Sequence, residues 1–187
     1  KSVLYTLGQN PKAIKVIHSS STNPSVEGVP TSIIKSVTSK YIIGYFSGVD
    51  NYWDAYYTEI ENLKSGTTKW KPLYTRKDKV YRTAGFFKGN NFIYKSAKTS
   101  SNYTIESVSL DDIDFNNSKT LIEAPSDEII KSITTTSDGL FYTTVKNGVE
   151  AKLYHYNNNK ITAITLPKTS GNIYLESTGN NSNLWIY

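Results

Sequence analysis

A repeat of about 48 residues constrains the fold of this 187-residue chain more than any other feature of its sequence. Apolar and aromatic runs begin at positions 41, 91, 139 and 183, which lie 50, 48 and 44 residues apart. The run Ile33-Ile34-Lys35-Ser36 returns as Ile129-Ile130-Lys131-Ser132, 96 residues or two periods later. Such a period is typical of chains that stack copies of one supersecondary unit, because a single unit cannot bury its apolar face alone.

Each period contains four short runs of β-strand composition, separated by turn signals. In successive units these runs cover about 31–37, 41–47, 53–60 and 69–75, then 80–87, 91–96, 102–110 and 119–123, and then 128–135, 139–146, 149–157 and 160–166. Asp138-Gly139 and Asn147-Gly148 suit tight hairpins, because Asn, Asp and Gly tolerate a positive φ. Four strands per ~40–50 residues, with no sustained helical period, predict an all-β fold made of β-propeller blades.

The frame of the repeat divides one further blade between the two chain ends. Residues 3–7 and 13–17 match the last two strands of a unit, and residues 172–177 and 183–187 match the first two. We therefore predict a single propeller segment over 1–187, of about four blades. It has whole blades at about 31–75, 80–123 and 128–166, and half-blades at 1–20 and 171–187. A β-sandwich is the alternative, but nothing in a sandwich requires the repeat.

Composition narrows the partners that the chain can have. Hydrophobic residues make up 37% and charged residues 20% of the chain, so a packed core is expected rather than disorder. The net charge is +5, but the lysines are scattered, whereas nucleic-acid surfaces cluster them. No apolar run reaches the roughly 18 residues of a membrane-spanning helix. We expect no nucleic-acid or membrane partner and a soluble protein, with the cytoplasm and the periplasm both left open.

The sequence contains no recognisable catalytic motif. A serine hydrolase of the α/β type needs a Gly-x-Ser-x-Gly turn, and Gly44-Tyr45-Phe46-Ser47-Gly48 has its serine one position late. The two histidines, His18 and His155, lie in predicted strands and in no motif, so we interpret them as packing residues. The absence of cysteine excludes disulfides, thiolate metal sites and a cysteine nucleophile. We therefore predict no catalytic residue in this chain.

A group of three aspartates raises the question of a metal site. Asp111, Asp112 and Asp114 resemble part of a calcium loop, since hard cations prefer alternating oxygen ligands. The expected glycine and the terminal glutamate are missing from that stretch. We interpret it as a solvated turn, and predict neither a metal nor any other cofactor.

Three cations occupy equivalent places in the repeat. Lys35, Arg82 and Lys131 fall in the first strand of successive units, 47 and 49 residues apart. The first strand of a propeller blade is innermost, so these residues would form an arc around a central channel. They are our candidate substrate-channel residues, because a cationic lining attracts peptide carboxylates. The alternative is that each cation extends past the end of its strand into ordinary solvent.

Several short segments spread over the whole chain carry a resemblance to a known family. They are Leu4-Tyr5-Thr6-Leu7-Gly8, Tyr56-Tyr57-Thr58-Glu59-Ile60, Thr68-Lys69-Trp70-Lys71-Pro72-Leu73, Asn102-Tyr103-Thr104-Ile105, Asp111-Asp112-Ile113, Lys119-Thr120-Leu121-Ile122 and Leu184-Trp185-Ile186-Tyr187. In these segments the chain resembles the central propeller of the prolyl oligopeptidase (prolyl endopeptidase) family of serine peptidases.

This resemblance implies a seven-bladed parent propeller, of which the chain would be the middle and later part. It also implies an α/β-hydrolase peptidase domain that this chain lacks. The parent would cleave short peptides after proline, with the propeller capping the active site. The family's substrate-contacting arginine has no counterpart here. The corresponding strand reads Tyr52-Trp53-Asp54-Ala55, with an acid where a base is expected, so the residues of this chain do not establish the proline specificity that the resemblance implies for the parent.

From the resemblance we predict a non-catalytic propeller segment that gates peptide access to the parent's peptidase domain. Its partners would be that domain and the peptide substrate. The alternative is a free-standing propeller module that binds a protein or a glycan. The open half-blades also predict self-association, because unpaired strand edges recruit other strands. We favour self-association over closure into a four-bladed ring, which would strain the packed interfaces between blades.

Overall fold

The computed structural model describes residues 1–21, 27–35, 39–63 and 68–187, and the described residues form an almost entirely β structure. They contain sixteen strands, and their helical content is two short 3₁₀ turns, Ile60–Leu63 and Arg76–Asp78. No helix in these ranges is long or apolar enough to cross a membrane. The chain divides into two compact units, Lys1–Ile34 with Ser39–Lys77, and Asp78–Tyr187 together with Lys35.

The first unit contains a two-stranded sheet and a four-stranded sheet, both antiparallel. The two-stranded sheet pairs β1 (Ser2–Leu4) with β2 (Lys15–His18). The four-stranded sheet, which we call blade 1, has the order β3-β4-β5-β6. Its strands are β3 (Val29–Ile33), β4 (Tyr41–Ser47), β5 (Asp54–Glu59) and β6 (Lys71–Tyr74). Ile17, Ile42 and Leu63 form a buried cluster in this unit.

The second unit contains two four-stranded sheets and a two-stranded sheet. Blade 2 consists of β7 (Val80–Lys88), β8 (Asn91–Ser96), β9 (Thr104–Ser109) and β10 (Lys119–Glu123). Blade 3 consists of β11 (Glu128–Thr136), β12 (Gly139–Lys146), β13 (Glu150–Asn157) and β14 (Lys160–Ile164). The C-terminal half-blade pairs β15 (Leu175–Glu176) with β16 (Trp185–Ile186).

The sheets of the second unit pack face to face in chain order. One cluster joins Ile93 and Ile105 of blade 2 to Leu140 and Tyr142 of blade 3. A second cluster joins Phe141 and further residues of blade 3 to the C-terminal half-blade. Successive residues of β12 therefore point to opposite neighbours, as the period of two in a strand requires. Burial on both faces explains why this strand reads as one continuous apolar and threonine run instead of an alternating one.

All twelve blade strands predicted from the repeat are present, and their bounds lie close to the predicted ones. The largest shift is in β3, predicted over 31–37 and observed over Val29–Ile33. The end of that prediction, residues 36 and 37, lies outside the described residues. β3 is an edge strand of its sheet and pairs on one side only. Pro30 is tolerated there because an edge strand can lack one N–H donor without losing a hydrogen bond in the middle of the sheet.

The half-blade strands are shorter than predicted. The N-terminal pair was predicted over 3–7 and 13–17, but β1 ends at Leu4 and β2 begins at Lys15. The C-terminal pair was predicted over 172–177 and 183–187, and only two residues of each strand keep ladder geometry. Each strand of a two-stranded sheet pairs with one neighbour, whereas a central strand pairs with two. With fewer stabilising cross-strand contacts, the hydrogen-bonded part of each strand is shorter.

Candidate functional site

A cavity of about 350 Å³ lies among the innermost strands of the second unit. It is lined by residues 83–86 of β7, residues 133–135 of β11, residues 175–177 at β15, and Lys35. The three strand segments occupy nearly equivalent positions in successive repeats, so the repeat itself brings them to one place. The cavity is therefore the candidate functional site of this chain.

Two β-bulges shape the walls of this cavity. The register of β7 against β8 shifts between Val80 and Gly85, and that of β11 against β12 shifts between Ile130 and Ile133. Within the first bulge Arg82 has a φ of 38°, which is unusual for a residue with a side chain. A bulge leaves residues unpaired and redirects their side chains. The positions that follow each bulge line the cavity.

Hydroxyl groups join two of the walls. The Ser177 hydroxyl donates to the Thr135 carbonyl at 2.5 Å, and its oxygen lies 3.0 Å from the Thr134 hydroxyl. These bonds hold the C-terminal half-blade against β11. The cavity therefore has a polar wall whose hydroxyl groups already have fixed positions.

Two charged side chains of opposite sign line the cavity. The Lys35 amine is half-buried, and burial lowers its pKa from the ordinary value. The Glu176 carboxylate accepts a hydrogen bond from the Tyr187 hydroxyl at 3.0 Å. Sequence reasoning missed Glu176, because acidic residues do not recur at its position in the other repeats.

The structure brings one of the three predicted channel residues to the cavity. Lys35 lines it, whereas Arg82 and Lys131 lie in the bulged segments, are exposed and are not among its lining residues. The Arg82 guanidinium lies 5.9 Å from the centroid of the Tyr81 ring. The role of the three cations as a substrate-channel arc stays a prediction.

A buried lysine that the sequence analysis overlooked lies next to these residues. Lys95 is 3% exposed, and its amine lies 4.0 Å from the centroid of the Tyr81 ring and 4.6 Å from that of the Tyr103 ring. The amine donates to the backbone carbonyl of Lys131 at 2.8 Å, which links blade 2 to blade 3. Burial, and then the nearby charge of Lys131, lower the pKa of Lys95 to about 8. The one signal in the sequence was a lysine inside the apolar β8 run.

Two buried glutamates belong to blade cores rather than to the cavity lining. Glu106 accepts hydrogen bonds from the hydroxyls of Tyr94, Thr104 and Ser118 at 2.7–2.8 Å. Burial raises its pKa, but these donors outweigh burial and the net shift is downward. Glu128 likewise pairs with the Lys152 amine at 2.6 Å. Both carboxylates are satisfied within their own blades.

Both histidines pack against aromatic rings. His18 is fully buried between Phe46 and Trp70, with ring centroids 4.7 and 4.8 Å away, and burial lowers its pKa. Its Nε2 has no hydrogen-bond partner among the described residues. His155 stacks on Phe141 at 4.5 Å. The His18 Nδ1 atom also lies 3.3 Å from the Ser32 hydroxyl, but among the described residues no carboxylate orients either histidine ring.

The remaining acidic candidates are engaged in local structure. Asp54, which stands where the family resemblance would expect a base, pairs with the Arg76 guanidinium at 3.2 Å. Asp114 accepts from the Asn116 backbone N–H at 2.8 Å and from the Asn117 side chain at 2.6 Å, as in the predicted turn. Within the ranges that the structure describes, no group of three histidine or acidic side chains could hold a metal ion.

Comparison with known proteins finds relatives in structure alone. No protein-family model and no curated protein sequence matches the chain. Prolyl oligopeptidase B from Galerina marginata, bound to a 35mer hydrolysis and macrocyclization substrate, matches 98% of this chain with a TM-score of 0.76 and 12% identity. Oligopeptidase B from Trypanosoma brucei, with covalently bound antipain, matches 89% with a TM-score of 0.65 and 12% identity. A post-proline cleaving enzyme from Rickettsia typhi matches 89% with a TM-score of 0.57 and 15% identity.

These matches define the fold: the chain has the β-propeller architecture of a segment of those peptidases. The particular proteins that share it are prolyl oligopeptidases and oligopeptidase B, so the resemblance predicted from the sequence is confirmed at the level of fold. The chain spans about a quarter of the length of these solved structures, covering 25%, 24% and 26% of the three.

Proposed function

We propose that this chain is a non-catalytic propeller segment of a prolyl-oligopeptidase-type serine peptidase, and that it gates the access of peptides to a separate catalytic domain. The observation that carries the proposal is the extent of the structural match. The likeness runs through 98% of this chain but only a quarter of the peptidase, so it is confined to a part of that enzyme. The sequence contains no Gly-x-Ser-x-Gly turn, so the nucleophile has to come from elsewhere.

The partners in this proposal are the parent's peptidase domain and the peptide substrate. Peptides would pass through or beside the propeller, where the inner strands offer a polar cavity. Lys35, Arg82 and Lys131 would attract peptide carboxylates, since like charges near a concave surface focus the field. A channel narrower than a folded domain would admit short, extended peptides and exclude folded proteins.

The proposal predicts that the enzyme's nucleophile lies outside residues 1–187. The test is to determine the complete reading frame, express its whole product and this chain separately, and treat both with a fluorophosphonate probe. We expect the whole product to be labelled on one serine and to cleave a short chromogenic peptide but not a folded protein. The isolated chain should give neither labelling nor turnover, because the one serine–histidine contact among the described residues, Ser32 with His18 at 3.3 Å, is not completed by a carboxylate.

Two results would contradict this function. One is a labelled serine within residues 1–187. The other is a reading frame that encodes no hydrolase, which would instead favour the free-standing module that binds a protein or a glycan. Denatured whole product is the control for labelling, since an activated serine needs the folded site.

We also expect the isolated chain to self-associate through its half-blades. Val3, Leu7, Trp185 and Tyr187 are 44%, 90%, 67% and 66% exposed on or beside these two-stranded sheets, which have few strands to cover them. Sedimentation should show a concentration-dependent dimer or larger species. Trp185→Lys should weaken association by about tenfold or more, because a charged side chain blunts an open edge.

The matched control for self-association is Val49→Lys. Val49 is fully exposed but lies in the turn after β4, away from the half-blades. It should leave the association constant unchanged. A wild-type chain that sediments as a monomer at all concentrations would refute the expectation of association.

A further inference from the structure

The opposite charges in the cavity of the second unit do not neutralise each other. Lys35 and Glu176 both line the cavity, yet no ion pair joins them within the part of the chain that the structure describes. Lys35 has no hydrogen-bond or ion-pair partner among those residues. Glu176 has one partner, the Tyr187 hydroxyl on Oε1, so its second oxygen can accept further hydrogen bonds.

A half-buried amine without an anionic partner loses hydration that nothing in the described chain replaces. The lowered pKa of Lys35 reflects this loss. A carboxylate that entered the cavity would restore the missing interaction, and a charge-assisted bond is about twice as strong as a neutral one. The Glu176 carboxylate would in turn attract a cationic group. Among its lining residues the cavity therefore has two complementary charges that do not pair with each other, together with the hydroxyl groups of Thr134 and Ser177.

The pair of charges selects against most simple ions. A phosphate or a single carboxylate attracted by Lys35 would be repelled by Glu176. A simple cation attracted by Glu176 would be repelled by Lys35. A molecule that carries one charge of each sign satisfies both. The volume of about 350 Å³ lies at the small end of ligand pockets, which span ~300–1,000 Å³, so the ligand must be small.

We propose that this cavity binds a small zwitterion, an amino acid or a dipeptide, with its carboxylate at Lys35 and its ammonium group at Glu176. The hydroxyls of Ser177, Thr134 and Thr135 donate their protons within the chain, so they would accept hydrogen bonds from N–H groups of the ligand. This inference does not depend on the proposed peptidase function, since it rests on the cavity of this chain alone.

The test uses the isolated wild-type chain and three forms of one ligand. Titration by NMR chemical-shift changes with Ala-Ala should show saturable binding. N-acetyl-Ala-Ala lacks the ammonium group and Ala-Ala amide lacks the carboxylate. Each should bind at least about tenfold more weakly, because one charged contact is lost. Inorganic phosphate, as a plain anion, should compete poorly.

Substitutions then assign the two ends of the ligand. Lys35→Met should weaken the binding of Ala-Ala by about tenfold but leave the affinity for Ala-Ala amide unchanged, because only Ala-Ala has a carboxylate that contacts Lys35. Glu176→Gln should also weaken the binding of Ala-Ala by about tenfold, but it should leave the affinity for N-acetyl-Ala-Ala unchanged, because that ligand has no ammonium group. Lys160→Met is the matched control, since this exposed lysine of β14 lies outside the cavity lining and should change neither affinity.

Several outcomes overturn the inference. Equal binding of Ala-Ala and its acetylated form, or strong competition by phosphate, would mean a plain anion site. Equal losses from Lys35→Met and Lys160→Met would mean a diffuse charge effect. No saturable binding of Ala-Ala would mean that the cavity takes no such ligand. The comparison of the three ligands on wild-type protein decides the matter even where a variant fails to fold.

Discussion

Replacing Lys95 by methionine is expected to abolish a rise in stability between about pH 8 and pH 10.5. Burial lowers the pKa of Lys95 to about 8 in the folded chain, whereas its ordinary value is 10.5. Within this window the folded state has released the proton and the unfolded state still binds it. The free energy of unfolding therefore increases with pH, by a total of about 3 kcal/mol from this one group. Below pH 8 the charge is buried and this contribution to stability is absent.

The groups around the Lys95 amine explain why burial is the main cause of its lowered pKa. The rings of Tyr81 and Tyr103 attract the ammonium group, and the Lys131 carbonyl accepts one of its protons. These contacts replace only part of the lost hydration, because a cation–π contact is worth roughly 0.5–2 kcal/mol. The positive charge of Lys131 adds repulsion. No carboxylate contributes to this balance in the described chain.

The measurement is urea unfolding of wild type and Lys95→Met at several pH values from 7 to 10. At pH 7 the two proteins should agree within about 1 kcal/mol, since replacing a buried charge by an apolar side chain of similar volume is often neutral. Burial raises the pKa of Tyr94 and Tyr142, which lowers stability at still higher pH in both proteins and cancels in the difference. Lys119→Met, at an exposed position of β10 in the same blade, is the control and should run parallel to wild type. A Lys95→Met curve that also runs parallel to wild type would refute the prediction.

Replacing Gly44 by alanine is expected to lower the free energy of unfolding by about 3 kcal/mol, at the upper end for overpacking. A Cβ atom at Gly44 would lie 2.8 Å from Trp70 Cζ3 and 2.9 Å from His18 Cε1. Neither ring can move aside easily. Trp70 donates from Nε1 to the Ile17 carbonyl at 2.7 Å, and His18 is fully buried against Phe46. The clash therefore has to be absorbed by the packed core of the first unit.

Gly48→Ala is the matched control for this prediction. Gly48 lies four residues further along, just after β4, and a Cβ atom there would meet nothing within 4 Å. Its unfolding curve should stay within about 0.5 kcal/mol of wild type, as for an ordinary surface substitution. Both variants should be compared by urea unfolding with tryptophan fluorescence, to which Trp70 contributes together with Trp53 and Trp185. Equal stability of Gly44→Ala and wild type would mean that the two rings repack freely.

The sequence alone determined the strands and their grouping into blades. A period of about 48 residues, four apolar runs in each unit and Asn-Gly or Asp-Gly turns are local signals, and local signals decide where a strand begins and ends. The observed β4, β8 and β12 accordingly begin at the predicted residues, 41, 91 and 139. Equivalence within the repeat also pointed to Lys35, because residues at the same place in successive units share one environment.

Only the tertiary structure decided which side chains meet. Glu176 and Lys35 line the same cavity although they are 141 positions apart in sequence. No sequence spacing connects a lysine of the first repeat unit to an acid in the C-terminal half-blade. Lys95 reaches a carbonyl of the next blade only because a bulge in β11 interrupts the ladder there. The same kind of bulge directs Arg82 and Lys131 away from the cavity lining that their repeat position had suggested. The break inserts three extra residues in β7 and one in β11, and the direction of each side chain in a strand depends on that register.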